Sequence, residues 1–303
     1  RSEKSATSRS ARQAYLRELA REVNRLPWTT VARDYADPEG GEAPGLVEVY
    51  TALDTTELEH VVCEAELRVF MEGVARGEAR RVPAQAVLDA EDRLVILGDP
   101  GAGKSTFVNY LAYVLAQAGL AQAEPAQDAA SWLDRLDPWV HGPLLPVRIA
   151  LRDMAAWCAQ QDEGGMNNGN PLLAYLPALL ERWHLDDAWP FLREAVQGEE
   201  TTLLVLLDGL DEVPSDQRGE VVAAVQDLAD YYPQHRYVVT CRPYAYVGQP
   251  WSLHGFREVT LAPFSEAQID AFIAAWYDEL AAQGRLATHE AAQQTAHLQR
   301  AVR

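Results

Sequence analysis

Gly98-Asp99-Pro100-Gly101-Ala102-Gly103-Lys104-Ser105-Thr106 is the stretch whose reading decides the fold. It has the form G-x-x-x-x-G-K-S, the pattern of a loop that cradles phosphates. Leu94-Val95-Ile96-Leu97 before it is a short apolar run of buried-strand type. After it Phe107, Val108, Leu111, Val114 and Leu115 recur at helical spacing. Strand, glycine loop and helix form the arrangement in which backbone N–H groups and a helix N-terminus converge on an anion. In such a loop Gly98, Gly101 and Gly103 admit close approach, Asp99, Pro100 and Ala102 complete the turn, and Thr106 follows in the first helical turn. The Lys104 ammonium is expected on the β- and γ-phosphates and the Ser105 hydroxyl on Mg²⁺. Of the 26 basic residues only Lys4 and Lys104 are lysine, so a lysine here points to a need for the compact ammonium itself.

Working outward, Thr201-Thr202-Leu203-Leu204-Val205-Leu206-Leu207-Asp208 is a continuous apolar run that ends in a carboxylate. A buried parallel strand would deliver Asp208 to its C-terminal edge, beside the place where a phosphate-bound Mg²⁺ sits. Asp211 and Glu212 follow within one turn. They cannot both point along one line to a γ-phosphate. One is expected to orient water while the other holds the turn or pairs with an arginine, and Asp211 is favoured for the water, with Glu212 supporting it. Tyr237-Val238-Val239-Thr240 reads as a further strand, and Arg242 just past its end is placed to reach a γ-phosphate. Together these spans predict an α/β fold of P-loop NTPase type, a central parallel sheet flanked by helices.

The remaining elements are read by period and punctuation. Residues 1–10 read as mobile, and 11–26 as a helix with Tyr15, Leu16, Leu19, Ala20, Val23 and Leu26 on one face, stopped by Pro27. A linker is expected over 34–45, a short strand over 46–50, a helix over 55–77 and a short helix over 83–89. Residues 121–143 read as a surface insertion with some helix, 144–151 as the second core strand, and 160–171 as the most disorder-prone interior loop. Helices are expected over 172–184 and 187–197, and another after Ser215, taken as its cap. A last strand over 257–261 precedes Ser265 and Gln268, a capping-box pair for a helix with Ile269, Phe272, Ile273, Trp276 and Leu280 on one face. A weakly apolar helix over 287–302 closes the chain.

The net charge of −19 argues against an extended nucleic-acid or anionic-membrane surface. The basic lead, seven basic against three acidic groups in residues 1–26, reads as a solvated helix face. Cys63, Cys158 and Cys241 lie far apart in no metal or disulfide spacing, which suits a cytoplasmic protein. The seven histidines form no ligand-like pairs, so no structural zinc is expected. No apolar run approaches the length of a membrane span. The chain begins at Arg1 rather than Met and ends on a helical pattern, which reads as a segment of a longer protein.

Taken together these motifs resemble the NACHT family of signal-transducing P-loop ATPases, relatives of the NOD-like receptors within the STAND class. The resemblance runs from about Leu46 to Leu280. It rests on Leu97 to Thr106, on Leu206-Leu207-Asp208-Gly209-Leu210-Asp211-Glu212, on Thr240-Cys241-Arg242-Pro243, and on Leu261-Ala262-Pro263-Phe264-Ser265-Glu266 with Trp276-Tyr277. It implies that residues 98–106 bind ATP or ADP, and that Ser105 and Asp208 hold Mg²⁺. It implies that Asp211 or Glu212 orients the attacking water and that Arg242 is the sensor arginine. It also implies a phosphate-loop strand beside the sensor strand, which in turn separates it from the Asp208 strand. The domains would be an N-terminal helix and linker (1–45), a nucleotide-binding α/β domain (46–264) and the start of a helical domain (265–303). The function implied is a slow, regulatory ATPase switch that self-associates when ATP-bound, answers an unknown sensed ligand, and serves signalling in bacterial antiphage defence. The family's later helices and winged-helix domain have no counterpart in this sequence. A P-loop kinase or transferase, or a scaffold that holds nucleotide without hydrolysing it, are the other readings. No base-reading motif separates ATP from GTP.

Overall fold

In the computed structural model the described residues are 2–24, 45–57, 81–123, 128–161 and 169–302. They build an α/β fold around a seven-stranded, mostly parallel sheet flanked by helices. The strands are β1 (Asp54–Glu57), β2 (Arg81–Pro83), β3 (Arg93–Leu97), β4 (Leu145–Ala150), β5 (Leu203–Asp208), β6 (Arg236–Cys241) and β7 (Arg257–Leu261), in the order β2-β1-β7-β3-β6-β5-β4. From β7 to β4 every pairing is parallel, while β1 runs antiparallel to β7 and to β2. Strands buried on both faces read as unbroken apolar runs, which is why β3, β5 and β6 stand out in the sequence.

The register brings four strand ends nearly level. Leu97 pairs with Cys241, Leu207 with Val239, and Ala150 with Asp208. The residues after β3, β5 and β6 therefore emerge at one edge, the carboxyl edge where open parallel sheets bind their ligands. The order β3-β6-β5 is the neighbourhood that the resemblance implied.

Helix α1 (Ser2–Val23) lays Tyr15, Leu16, Leu19, Ala20 and Val23 against the helix that follows the glycine loop. The Tyr15 hydroxyl donates to the Pro146 carbonyl at 2.9 Å, pinning α1 over β4. Expected to be mobile, residues 2–10 are instead helical. Once the docked turns nucleate a helix, each further Ser, Ala, Arg or Lys adds a hydrogen bond at small entropic cost.

Three further expectations are corrected. Leu46–Val49 is a short helix, α2, and not a strand. Its Leu46, Val47 and Val49 are buried, and a run of five residues is too short for its period to separate helix from strand. The strand lies a few residues later at β1, where the expected 55–77 helix was to begin. No apolar alternation marks it, because its buried positions are Thr55 and Thr56, whose hydroxyls donate to the Val82 and Thr260 carbonyls. Ser215 does not cap the next helix; α9 begins at Arg218 behind Gln217, whose side chain makes no cap bond. The second core strand expected over 144–151 is found as β4, largely buried at the edge of the sheet.

Other elements fall where expected. α3 (Ala84–Ala90) leads into β3 and α4 (Lys104–Ala121) follows the glycine loop. α5 (Ala129–Leu133) lies in the insertion, and α6 (Leu151–Cys158), α7 (Pro171–Arg182) and α8 (Trp189–Gln197) pass between β4 and β5. α9 (Arg218–Tyr231) links β5 to β6, and the short α10 (Pro243–Tyr246) follows β6. Ser265 and Gln268 close the capping box of α11 (Glu266–Ala282), which packs on α12 (Thr288–Ala301). On α11 Ile273 and Leu280 are buried, while Ile269, Phe272 and Trp276 are only partly so. The linker over 34–44, most of the 55–77 helix with Cys63, Pro27 and the centre of the 160–171 loop lie outside the described residues. Among the described residues no helix is long and apolar enough to cross a membrane.

Candidate functional site

The carboxyl edge of β3, β6 and β5 holds a cleft of about 240 Å³. Its walls are Pro100, Gly101, Gly103, Lys104, Ser105, Thr106, Asp208, Gly209, Asp211, Glu212, Thr240 and Arg242. Such a volume suits a short polyphosphate rather than a whole nucleotide, and among the described residues no aromatic side chain lines it.

Gly103 sits at φ +89° as the N-cap of α4, a left-handed conformation that a Cβ would strain. The turn it makes leaves the first N–H groups of an 18-residue helix facing the cleft without intrahelical partners. The Gly98 N–H donates to the Cys241 carbonyl at 3.2 Å, so the start of the loop is tied to the end of β6. Lys104 folds back over the loop, its Nζ donating to the Gly98 carbonyl and, at 3.1 Å, to that of Asp99. Burial pulls its ammonium below the ordinary lysine value, and Arg242 adds to this while Asp211 and Asp208 oppose it.

Asp208 is the hub of the cleft. Its Oδ1 accepts from the Thr240 hydroxyl at 2.7 Å and from the Ser105 hydroxyl at 3.1 Å. Its Oδ2 accepts from Arg148 Nη2 at 2.9 Å. The Thr240 hydroxyl oxygen also accepts from the Gly209 N–H at 2.8 Å, so one side chain of β6 fixes both the carboxylate and the turn after it. Gly209 has φ +80°, and this reversal starts the single 3-10 turn Leu210–Glu212. A side chain at that position would be strained, which explains in backbone terms why the next acids come at 211 and 212.

The two acids meet different surroundings. Asp211, with a side chain only 5% exposed, takes Arg242 on both oxygens: the backbone N–H on Oδ1 at 3.1 Å and Nε on Oδ2 at 2.8 Å. Arg218 braces the same turn by donating to the Asp211 and Val213 carbonyls. Glu212 is 42% exposed and takes Arg152 Nη1 on Oε2 at 3.0 Å. Both acids thus pair with an arginine, and burial separates them. Cys241, beneath this turn, has its thiol pushed up to about 12 by burial and by Asp211.

The structure therefore gathers Gly98 to Thr106, Asp208, Asp211, Glu212 and Arg242 at one place. Gly98, Asp99 and Ala102 belong to the loop without lining the cleft. Sequence reasoning assigned nothing to Thr240, Arg148 or Arg152. For Arg148 a signal existed: a guanidinium inside an otherwise apolar strand. The oxygen donors Ser105 and Asp208, 3.1 Å apart, fit a hard divalent cation completed by phosphate and water, the arrangement that suits Mg²⁺. Among the described residues no group of three His, Cys, Asp or Glu could hold a metal unaided. No protein-family model matches the chain, and no curated protein matches it.

Proposed function

We propose that the chain binds the phosphates of ATP or ADP with Mg²⁺ in the cleft over 98–106 and hydrolyses ATP slowly, as a regulatory switch of the NACHT kind. The observation that carries this reading is the convergence on Asp208 and the glycine loop of the charges and hydroxyls that phosphoryl transfer needs. Lys104 exchanges two loop carbonyls for phosphate oxygens, a gain for an ammonium already partly desolvated. Loop and helix N–H groups hold the β-phosphate, and Asp208 and Ser105 take the cation. Bound Mg²⁺ would neutralise charge on the β- and γ-phosphates. Arg242 is the γ-phosphate sensor, held by Asp211 until that charge arrives. With both Asp211 oxygens engaged, the proposed water contact moves from Asp211 to the more exposed Glu212. Self-association in the ATP state, a sensed ligand, cytoplasmic residence and a role in antiphage defence extend the same proposal. So does the division into 1–45, 46–264 and 265–303.

The test is Lys104→Ala. Among the described residues Lys104 donates to loop carbonyls only, so the variant should fold and melt like the wild type without ligand. Mg·ATP at about a hundred times its dissociation constant should stabilise the wild type by roughly 2.7 kcal/mol. In the variant that thermal shift should vanish. An undiminished shift would place the nucleotide elsewhere.

A further inference from the structure

The cation side of the cleft carries a feature that phosphate binding does not need. Arg148, on β4, is a guanidinium in an otherwise apolar strand, and its Nη2 occupies Asp208 Oδ2 at 2.9 Å. Both side chains are largely buried, at 17% and 8% exposure. A divalent cation drawing on Asp208 meets a positive charge already seated on that carboxylate. Two cations at one carboxylate in a poorly solvated site repel strongly.

A second observation shows where the guanidinium could go. Arg148 Nε is buried without a hydrogen-bond partner, and so is Asn109 Oδ1, a donor and an acceptor both left unpaired. The two residues sit on packed elements, β4 and α4. Asn109 lies one helical turn beyond Ser105, whose hydroxyl bonds Asp208. Because β3 and β4 run parallel, α4 between them runs back down the sheet, carrying Asn109 about 6 Å below Ser105. Ala150 pairs with Asp208, so Arg148, two residues earlier, lies about 6.6 Å below the same level. The backbones of Asn109 and Arg148 are thus at similar depth, below the carboxylate that the Arg148 side chain climbs to reach.

We propose that Arg148 is a two-position counter-ion for the cation site: on Asp208 when no divalent cation is present, and turned to Asn109 when the cation takes Asp208. Arg148 is here a positioning residue, and it sets how much cation the site requires. The proposal rests on the reading of the cleft as a Mg²⁺–phosphate site.

The experiment measures binding, not turnover. A fluorescent ADP, mant-ADP, is titrated onto the purified chain in EDTA, and the concentration of Mn²⁺ that half-saturates the preformed complex is then read by electron paramagnetic resonance. Relieved of the standing charge, Arg148→Met should lower the Mn²⁺ half-saturation at least about fivefold. Asn109→Leu, which removes the second position, should raise it at least about threefold, because displaced Arg148 would then stay unpaired. Affinity for mant-ADP in EDTA should be unchanged in Asn109→Leu. An unchanged or raised half-saturation in folded Arg148→Met overturns the proposal and leaves the phosphate reading standing. If Arg148→Met does not fold, Asn109→Leu decides alone, and an unchanged half-saturation overturns the proposal. A wild type that binds no mant-ADP in either condition defeats the phosphate reading, and this proposal with it.

Discussion

At the residue scale, the cleft is organised by which carboxylate oxygen each donor holds. Asp208 divides its oxygens between hydroxyls and a guanidinium, and Asp211 gives both of its oxygens to Arg242. Asp211→Asn keeps the shape but turns an amide toward the guanidinium, leaving a partly buried charge poorly paired. It should destabilise the chain by about 1–3 kcal/mol in urea unfolding. Glu212→Gln alters a half-exposed ion pair and should stay within about 0.5 kcal/mol of the wild type. In a single-turnover assay with excess enzyme, Glu212→Gln should cleave ATP at least about tenfold more slowly, a barrier increase of roughly 1.4 kcal/mol. Wild-type cleavage by Glu212→Gln beside slow cleavage by Asp211→Asn would return the water to Asp211. If neither variant slows the reaction, the hydrolytic reading of the motif fails and nucleotide is held without being consumed.

At the scale of elements, legibility followed hydrophobic pattern. β3, β5 and β6 were readable because buried parallel strands are largely apolar, and the Ser265–Gln268 box gave the start of α11 in advance. β1 was not readable, since two buried threonines carry its burial and their hydroxyls are satisfied only by the carbonyls of β2 and β7. Another buried polar group joins elements in the core: His235, just before β6. The Leu203 N–H donates to its Nδ1 at 3.3 Å, so the proton lies on Nε2, which donates to the Val196 carbonyl at 2.8 Å. This fixes the neutral ring between β5 and α8, and burial lowers its pKa from the ordinary 6.5. The sign follows from linkage: the unfolded chain binds this proton more readily, so the histidine's contribution is complete above about 6.5 and is lost as pH falls below it. Urea midpoints should therefore be level from about pH 8 to 7 and decline from about 6.5 to 5.5. His235→Gln should be less stable at pH 8 but flatter across that acidic window. A decline of equal steepness in the variant would assign the acid sensitivity to other groups.

At the scale of the whole molecule, an acidic chain of net charge −19 concentrates Lys104, Arg242, Arg148 and a helix N-terminus around one cleft. Anion binding there is a local property, set by dipoles and a few partly buried cations against a repulsive background. That convergence was legible in part. Motif spacing named the loop, Asp208, the acid pair and Arg242, because each follows the end of a buried strand. The strand order that makes those ends neighbours is not written in any local pattern; it came from the family resemblance. The partners that hold Asp208, Thr240 and Arg148, depend on pairing across β4, β5 and β6, which only the folded sheet supplies. Hydrogen exchange of the whole chain, with and without Mg·ADP, tests the placement of the phosphates most directly, because the N–H groups of the loop are the proposed ligands. Added Mg·ADP should slow exchange in peptides covering 98–107 and, through Asp208 and Thr240, in those covering 205–213 and 238–243, while the far ends of the same strands stay unchanged. Exchange in 98–107 that is unaltered under saturating Mg·ADP, or protection confined to some other part of the chain, would contradict the phosphate site.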